Sequence, residues 1–293
     1  MNTVQPGILA SVPRLARYLV FSLAPSSDPR DALTRLSDTT DGEKTVVGIG
    51  LSVVLALGKS LEGLRVFPNH SGAGFDVPAS PGALWCWLRG EDRGELVHRA
   101  RLITQTVSPA FRLDKVIDAF QYGPGLDLTG YEDGTENPTG EQAHAVAVIQ
   151  EQGEGLDGSS FVAVQQWVHD LTRFDAMSVA EQDHTIGRRR SDNEEIDDAP
   201  ASAHVKRTAQ ESFDPEAFVL RRSMPWADET REGLVFVAFG ASFQPFEHLL
   251  TRMVGAEDGI PDALFTFTRP ISGNYFWCPP VHAGKLDLKA LAL

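Results

Sequence analysis

Little in this sequence is suited to cross-linking, to spanning a bilayer or to gripping phosphate. Only two cysteines occur in 293 residues, Cys86 and Cys278, each inside an aromatic run, WCW and FWC. No disulfide framework and no CxxC metal clip exists, and cysteines in such runs behave mostly as small buried hydrophobes. No stretch approaches the ~18 apolar residues of a membrane span. Basic residues are outnumbered, 26 Lys+Arg against 40 Asp+Glu, for a net charge of -14. That balance argues against sequence-independent nucleic-acid binding and against docking on anionic membranes, both of which need basic surface. The amino-terminal stretch MNTVQPGILASVPRLARYLV has no basic region ahead of a sustained apolar core, so a cytoplasmic location is expected.

Familiar catalytic signatures are missing too. The eight histidines include no H-x-x-x-H pair and form no Cys/His cluster. The GKS at 58–60 lacks the preceding glycine spacing of a P-loop, no G-x-G-x-x-G follows a strand, and no Ser-His-Asp order is legible.

What is present is an ordinary globular composition, 42% hydrophobic and 23% charged, long enough for two domains. The first half alternates strand and helix signals: strands at 17–23, 45–54, 83–89 and 111–123, and helices at 28–37, 55–64 and 93–107. Ala83, Trp85 and Trp87 share one strand face by period 2. The second half repeats the order. It has a strand at 160–170, a helix at 178–190 opened by the capping box Ser178-Val179-Ala180-Glu181, and strands at 217–226 and 233–239. A helix at 243–255 and a closing strand at 263–269 complete it. Two β-α-β-β-α-β halves predict an α+β protein of two ferredoxin-like domains, antiparallel sheets with helices packed on them. Gly-Pro-Gly at 123–125 marks the boundary, giving domains 1–124 and 125–293.

Three stretches are unusual for plain scaffolding. GYEDGTENPTG (130–140) crowds Glu132, Asp133 and Glu136 into one bend. RRRSDNEEIDDAPASAHVKRT (188–208) is a long polar connection holding His204. The strand AFVLRRSMPW carries adjacent arginines, so by period 2 either Arg221 or Arg222 faces the buried side, unless the strand is a solvated edge. A buried arginine requires an anionic or polar partner.

Together these segments resemble the dye-decolorizing peroxidases, specifically the shorter bacterial B-type group. The G-x-x-D-G motif of that family is matched by Gly130, Asp133 and Gly134, its proximal histidine by His204, and its strand arginine by Arg221. The resemblance extends into the first half at WCWLRGEDRGEL (85–96). It implies haem b (iron protoporphyrin IX) in the second domain, with His204 as the iron ligand and Asp133 and Arg221 on the opposite face. Arg188 is implied to pair with a haem propionate. The acceptor for the other N–H of His204 is expected to be Glu216, with Asp214 and Glu211 as competitors. Some B-type members carry asparagine two residues after the arginine; here Ser223 stands there, which implies a peroxide network completed through water. The implied activity is haem-dependent reduction of hydrogen peroxide through a ferryl intermediate, with one-electron oxidation of an organic donor such as a dye or phenol. The same residues would also suit a haem-trafficking or iron-release protein, and a haem-free assembly module is a further alternative. Trp226 and Trp277 are expected in the core rather than on an electron path. A homo-oligomer is expected, and KLDLKALAL at the end is either packed on its own domain or a docking tail for a protein shell.

Overall fold

The computed structural model describes residues 2–72 and 74–293. Ten strands form its main sheet: β1 Leu15–Leu23, β2 Thr45–Ile49, β3 Leu84–Gly90, β4 Phe111–Phe120, β5 Ser160–His169, β6 Leu220–Arg221, β7 Met224–Ala227, β8 Glu232–Gly240, β9 Thr268–Pro270 and β10 Asn274–Cys278. The first half lies in the order β2-β3-β1-β4 and the second in the same relative order, β7-β8-β5-β10. The halves do not make two separate sheets, as expected from sequence, but join edge to edge. Trp277 of β10 pairs with Ile49 of β2, and Ala119 of β4 pairs with Trp226 of β7, so the antiparallel pairings run round in a closed ring. Closure removes edges that would otherwise template aggregation.

Both faces of these strands are buried. Tyr18, Trp85, Trp87, Val164, Trp226, Val237 and Phe276 form one cluster, while Leu19, Val47, Leu84, Cys86, Leu88 and Trp167 belong to another on the opposite face. Burial on both sides is why these strands read as near-continuous apolar runs rather than clean alternation. Cys86 and Cys278 are free, buried thiols, and Trp226 and Trp277 are core residues as expected.

The helix Arg93–Val107 shows how local signals act. The Asp92 carboxylate accepts the Glu95 N–H at 2.9 Å, and Leu96, Ala100, Ile103 and Val107 share its buried stripe. The capping box at Ser178 is likewise formed, starting a helix at Val179–Ile186. Elsewhere tertiary context shortened the expected elements. The strand from 45 stops at Ile49, and the helix that follows is Leu51–Ala56, not 55–64. The expected strand 217–226 is split into β6 and β7, which lie end to end along β8. The expected closing strand at 263–269 begins as a 3-10 turn, Ala263–Thr266, because the Asp262 carboxylate caps it by accepting the Leu264 N–H. The sheet is closed instead by β9 and β10, placed end to end along β5. No helix among the described residues is long and apolar enough to cross a membrane.

Candidate active site

The outer face of β5 and β8 forms one wall of a cavity of about 310 Å³. The helix Gln244–Met253, the acidic bend and the segment around 186–211 close the other sides. Trp167, Leu234, Phe236, Leu249, Leu250 and Met253 make the walls mainly apolar, and Asp133, Arg188, His204 and Arg221 also line them.

The acidic bend is built by side chain to backbone hydrogen bonds. The Asp127 carboxylate accepts the Thr129 N–H at 2.9 Å and its hydroxyl at 2.6 Å, and the Asp133 N–H donates to the Gly125 carbonyl at 3.1 Å. Gly130 and Gly134 have φ of 84° and 87°, a region that side-chain-bearing residues avoid. The three crowded carboxylates are separated by giving each its own partner. Asp133 lies 3.4 Å from Arg221 Nη1, Glu132 accepts from Asn193 Nδ2 at 2.9 Å, and Glu136 accepts from Arg188 Nη2 at 2.7 Å. Asp133 and Arg221 are both 22% exposed in their side chains, half-buried at the cavity.

The paired arginines divide as alternation requires. Arg221 faces the cavity. Arg222 points to the other face, where its Nε and Nη2 donate to the carbonyls of Ile8 and Leu9. Burial, reinforced by nearby Arg89, lowers the Arg222 guanidinium to about 10. Period 2 fails just beyond. Ser223 sits in the break between β6 and β7, its hydroxyl accepts the Val237 N–H at 3.3 Å, and it is not part of the cavity wall. The expected place of Ser223 beside Arg221 in a peroxide network is therefore corrected: the hydroxyl patches an interrupted ladder.

His204 opens the short helix His204–Arg207. Its Nδ1 is 2.7 Å from Asp262 Oδ2, and that carboxylate is fully buried. The expected partner Glu216 and its competitors Asp214 and Glu211 are thus replaced by a residue 58 positions away. The ring is turned towards the turn at 262–266, not along its own chain. Asp262 also accepts the Leu264 N–H at 2.9 Å, so one carboxylate holds both the turn and the imidazole. A carboxylate only accepts, so Nδ1 carries a proton, and in the neutral ring Nε2 is the nitrogen with the lone pair. The sequence signal was Asp262 ahead of ALFT, an N-cap pattern silent about a distant histidine. Arg188 has a side chain 12% exposed and is held by Glu136, by Glu195 at 3.6 Å and by the Asn193 carbonyl.

One cavity-lining group was missed altogether. His169 Nε2 is 3.1 Å from Asp127 Oδ1, and its Nδ1 is 2.6 Å from Thr268 Oγ1. The Thr268 hydroxyl also lies 3.0 Å from the Val168 carbonyl, so imidazole, threonine and carboxylate form one continuous hydrogen-bonded chain. Burial raises the Asp127 carboxyl, but the bonds from His169 and Thr129 outweigh it and hold the group below the usual range.

These groups fit a haem. His204 offers a lone pair while a buried acid holds the ring, the surrounding walls are apolar, and Arg188 and Arg221 can meet anionic groups. An imidazole backed by a buried carboxylate, sharing an apolar cavity with an acid–arginine pair, defines a peroxidase-type site. The comparisons agree. Residues 125–283 match the family model "Dyp-type peroxidase, C-terminal", and the chain belongs to that family. A dye-decolorizing peroxidase of Mycobacterium tuberculosis is 29% identical over 293 residues, 94% of this chain and 88% of that protein. A variant of DypB from Rhodococcus jostii RHA1, solved in complex with heme, is 25% identical with a TM-score of 0.84, covering 93% of this chain and 94% of that one. The encapsulated DyP-type peroxidase from Mycobacterium smegmatis is 26% identical with a TM-score of 0.85, covering 95% and 96%. The function is accordingly that of a dye-decolorizing haem peroxidase, an enzyme.

Proposed function

We propose that His204 holds the iron of haem b, that Arg188 pairs with a propionate, and that Asp133 and Arg221 act on hydrogen peroxide. The observation that carries this reading is the convergence of His204–Asp262 and Asp133–Arg221 on one apolar cavity. When bound, the iron porphyrin supplies the redox chemistry, taking up peroxide's two oxidising equivalents and passing them singly to an organic donor such as a dye or phenol.

The protein's part is to hold groups and move a proton. Asp133 accepts a proton from one peroxide oxygen and returns it to the oxygen that leaves, so a single carboxylate serves as base and then acid. Arg221 offsets the negative charge that develops as the O–O bond lengthens. Asp262, by accepting from Nδ1, makes His204 a stronger donor at Nε2. The apolar walls exclude water and strengthen each of these interactions. Arg221→Ala is expected to slow peroxide consumption by about 10²–10³-fold with the Soret band retained. An unchanged rate constant for the peroxide step would remove Arg221 from the mechanism.

The likeness to DypB supports the B-type group, and the repeated strand order supports reading the halves as ferredoxin-like domains split near 124/125. The net charge of -14 supports small-molecule partners over nucleic acid or anionic membrane; a cytoplasmic homo-oligomer is part of the same proposal. The shell-enclosed relative suggests encapsulation as well. A shell partner would have to grip something other than the tail leucines Leu286, Leu288 and Leu291, which are buried on the protein's own body.

A further inference from the structure

We infer that Asn137, outside the cavity wall, is a positioning residue that sets the distance between Asp133 and Arg221; this rests on the catalytic reading of that pair. Strand β6 ends the sheet order, with β8 on one side only. Arg222 N–H donates across to Val237 O at 2.8 Å, so by strand alternation the N–H and C=O of Arg221 face the open side. The carbonyl also accepts from Arg222 Nη1 at 3.1 Å, but the N–H would be an orphaned backbone donor beside an apolar cavity. Asn137 meets both groups. Its Oδ1 accepts the Arg221 N–H at 2.8 Å, and its Nδ2 donates to the Arg221 carbonyl at 2.7 Å. The side-chain amide does what a neighbouring strand would do, and only an amide offers donor and acceptor in that geometry.

Asn137 lies four residues after Asp133, so the clamp joins the acid's loop to the arginine's own peptide. Pro138, which is buried, disfavours helical backbone at Asn137. A second stitch runs parallel. Gln210, buried, donates from Nε2 to the Glu136 carbonyl at 3.2 Å and accepts the Val219 N–H at 3.0 Å. Loop, connecting segment and strand are therefore tied to one another. The 3.4 Å between Asp133 and Arg221 is set by backbone clamps, since the two side chains alone are only loosely paired.

The test compares wild type, Asn137→Ala, Asn137→Gln and Arg221→Ala, by hydrogen exchange of peptides spanning Arg221 and by peroxide and donor kinetics of the holoenzyme. Asn137→Ala is expected to speed exchange of the Arg221 amide at least about tenfold, because its one acceptor is lost. It is also expected to slow the peroxide step about tenfold or more, while KM for a phenolic donor and the Soret band hold steady. Asn137→Gln, with the amide on a longer arm, should recover part of both. Exchange is read whether or not the variant loads haem. Unchanged exchange, or a peroxide rate equal to wild type in the loaded variant, overturns the inference. If Arg221→Ala leaves the peroxide step unchanged, the catalytic reading fails instead, and the exchange result still decides the clamp.

Discussion

The residue that carries most consequence for its size is Asp262. It is a fully buried carboxylate with two acceptor tasks, the Leu264 N–H and His204 Nδ1. Removing it frees the imidazole to rotate and take the other tautomer, and unties the turn that ends the cavity wall. Asp262→Ala is expected to weaken haem affinity by about 10–100-fold, the usual consequence of losing the acceptor behind a ligating histidine. Titration of the apoprotein with hemin, followed at the Soret band, measures this directly. An affinity equal to wild type would mean that the Asp262 bond does nothing for the ligand.

At the scale of elements, helices were legible where caps and stripes agreed, and strands were less so. The helix Arg93–Val107 was readable to its ends from the apolar spacing of Leu96, Val97, Ala100 and Ile103, and the structure adds the Asp92 cap. Because it covers the first half, away from the cavity, its stability separates from catalysis. Asp92→Ala is expected to cost about 1 kcal/mol in denaturant unfolding and to leave peroxide turnover per haem unchanged. A change in turnover without a change in stability would show coupling between the halves that the fold does not suggest. The strand through Arg221, Arg222 and Ser223 behaved differently. Period 2 separated the two arginines but misplaced Ser223, because the interruption between β6 and β7 depends on how β8 pairs with each piece.

For the whole molecule, ring closure brings the ends of β5, the acidic bend and the 262–268 turn together, and His169 with Asp127 lies at that junction. The depressed Asp127 carboxyl has a stated pH signature. A carboxylate whose folded pKa lies below its unfolded value, about 3.9, stabilises the fold above that value. The contribution is lost as pH falls through the folded pKa. Asp127→Asn is therefore expected to be less stable than wild type at pH 6, with the difference shrinking below about pH 4. Urea midpoints across that range check it, and a gap that persists or widens in acid would contradict the assignment.

The sequence by itself determined the α+β class and most of the elements, and its motifs singled out Asp133, His204, Arg221 and Arg188 as the residues proposed to act. Those features are written in local patterns: apolar period, caps, turn glycines, and short motifs that survive being read one segment at a time. Joining the halves into one ring, replacing Glu216 by Asp262, turning Ser223 away from the cavity and pairing His169 with Asp127 were decided only by tertiary structure. Each depends on contacts between segments tens of residues or more apart, or on which strand pairs with which piece, and no local pattern encodes those distances. Asn137 belongs to both: its motif drew notice for its acids, and only the open edge of β6 shows what its amide is for.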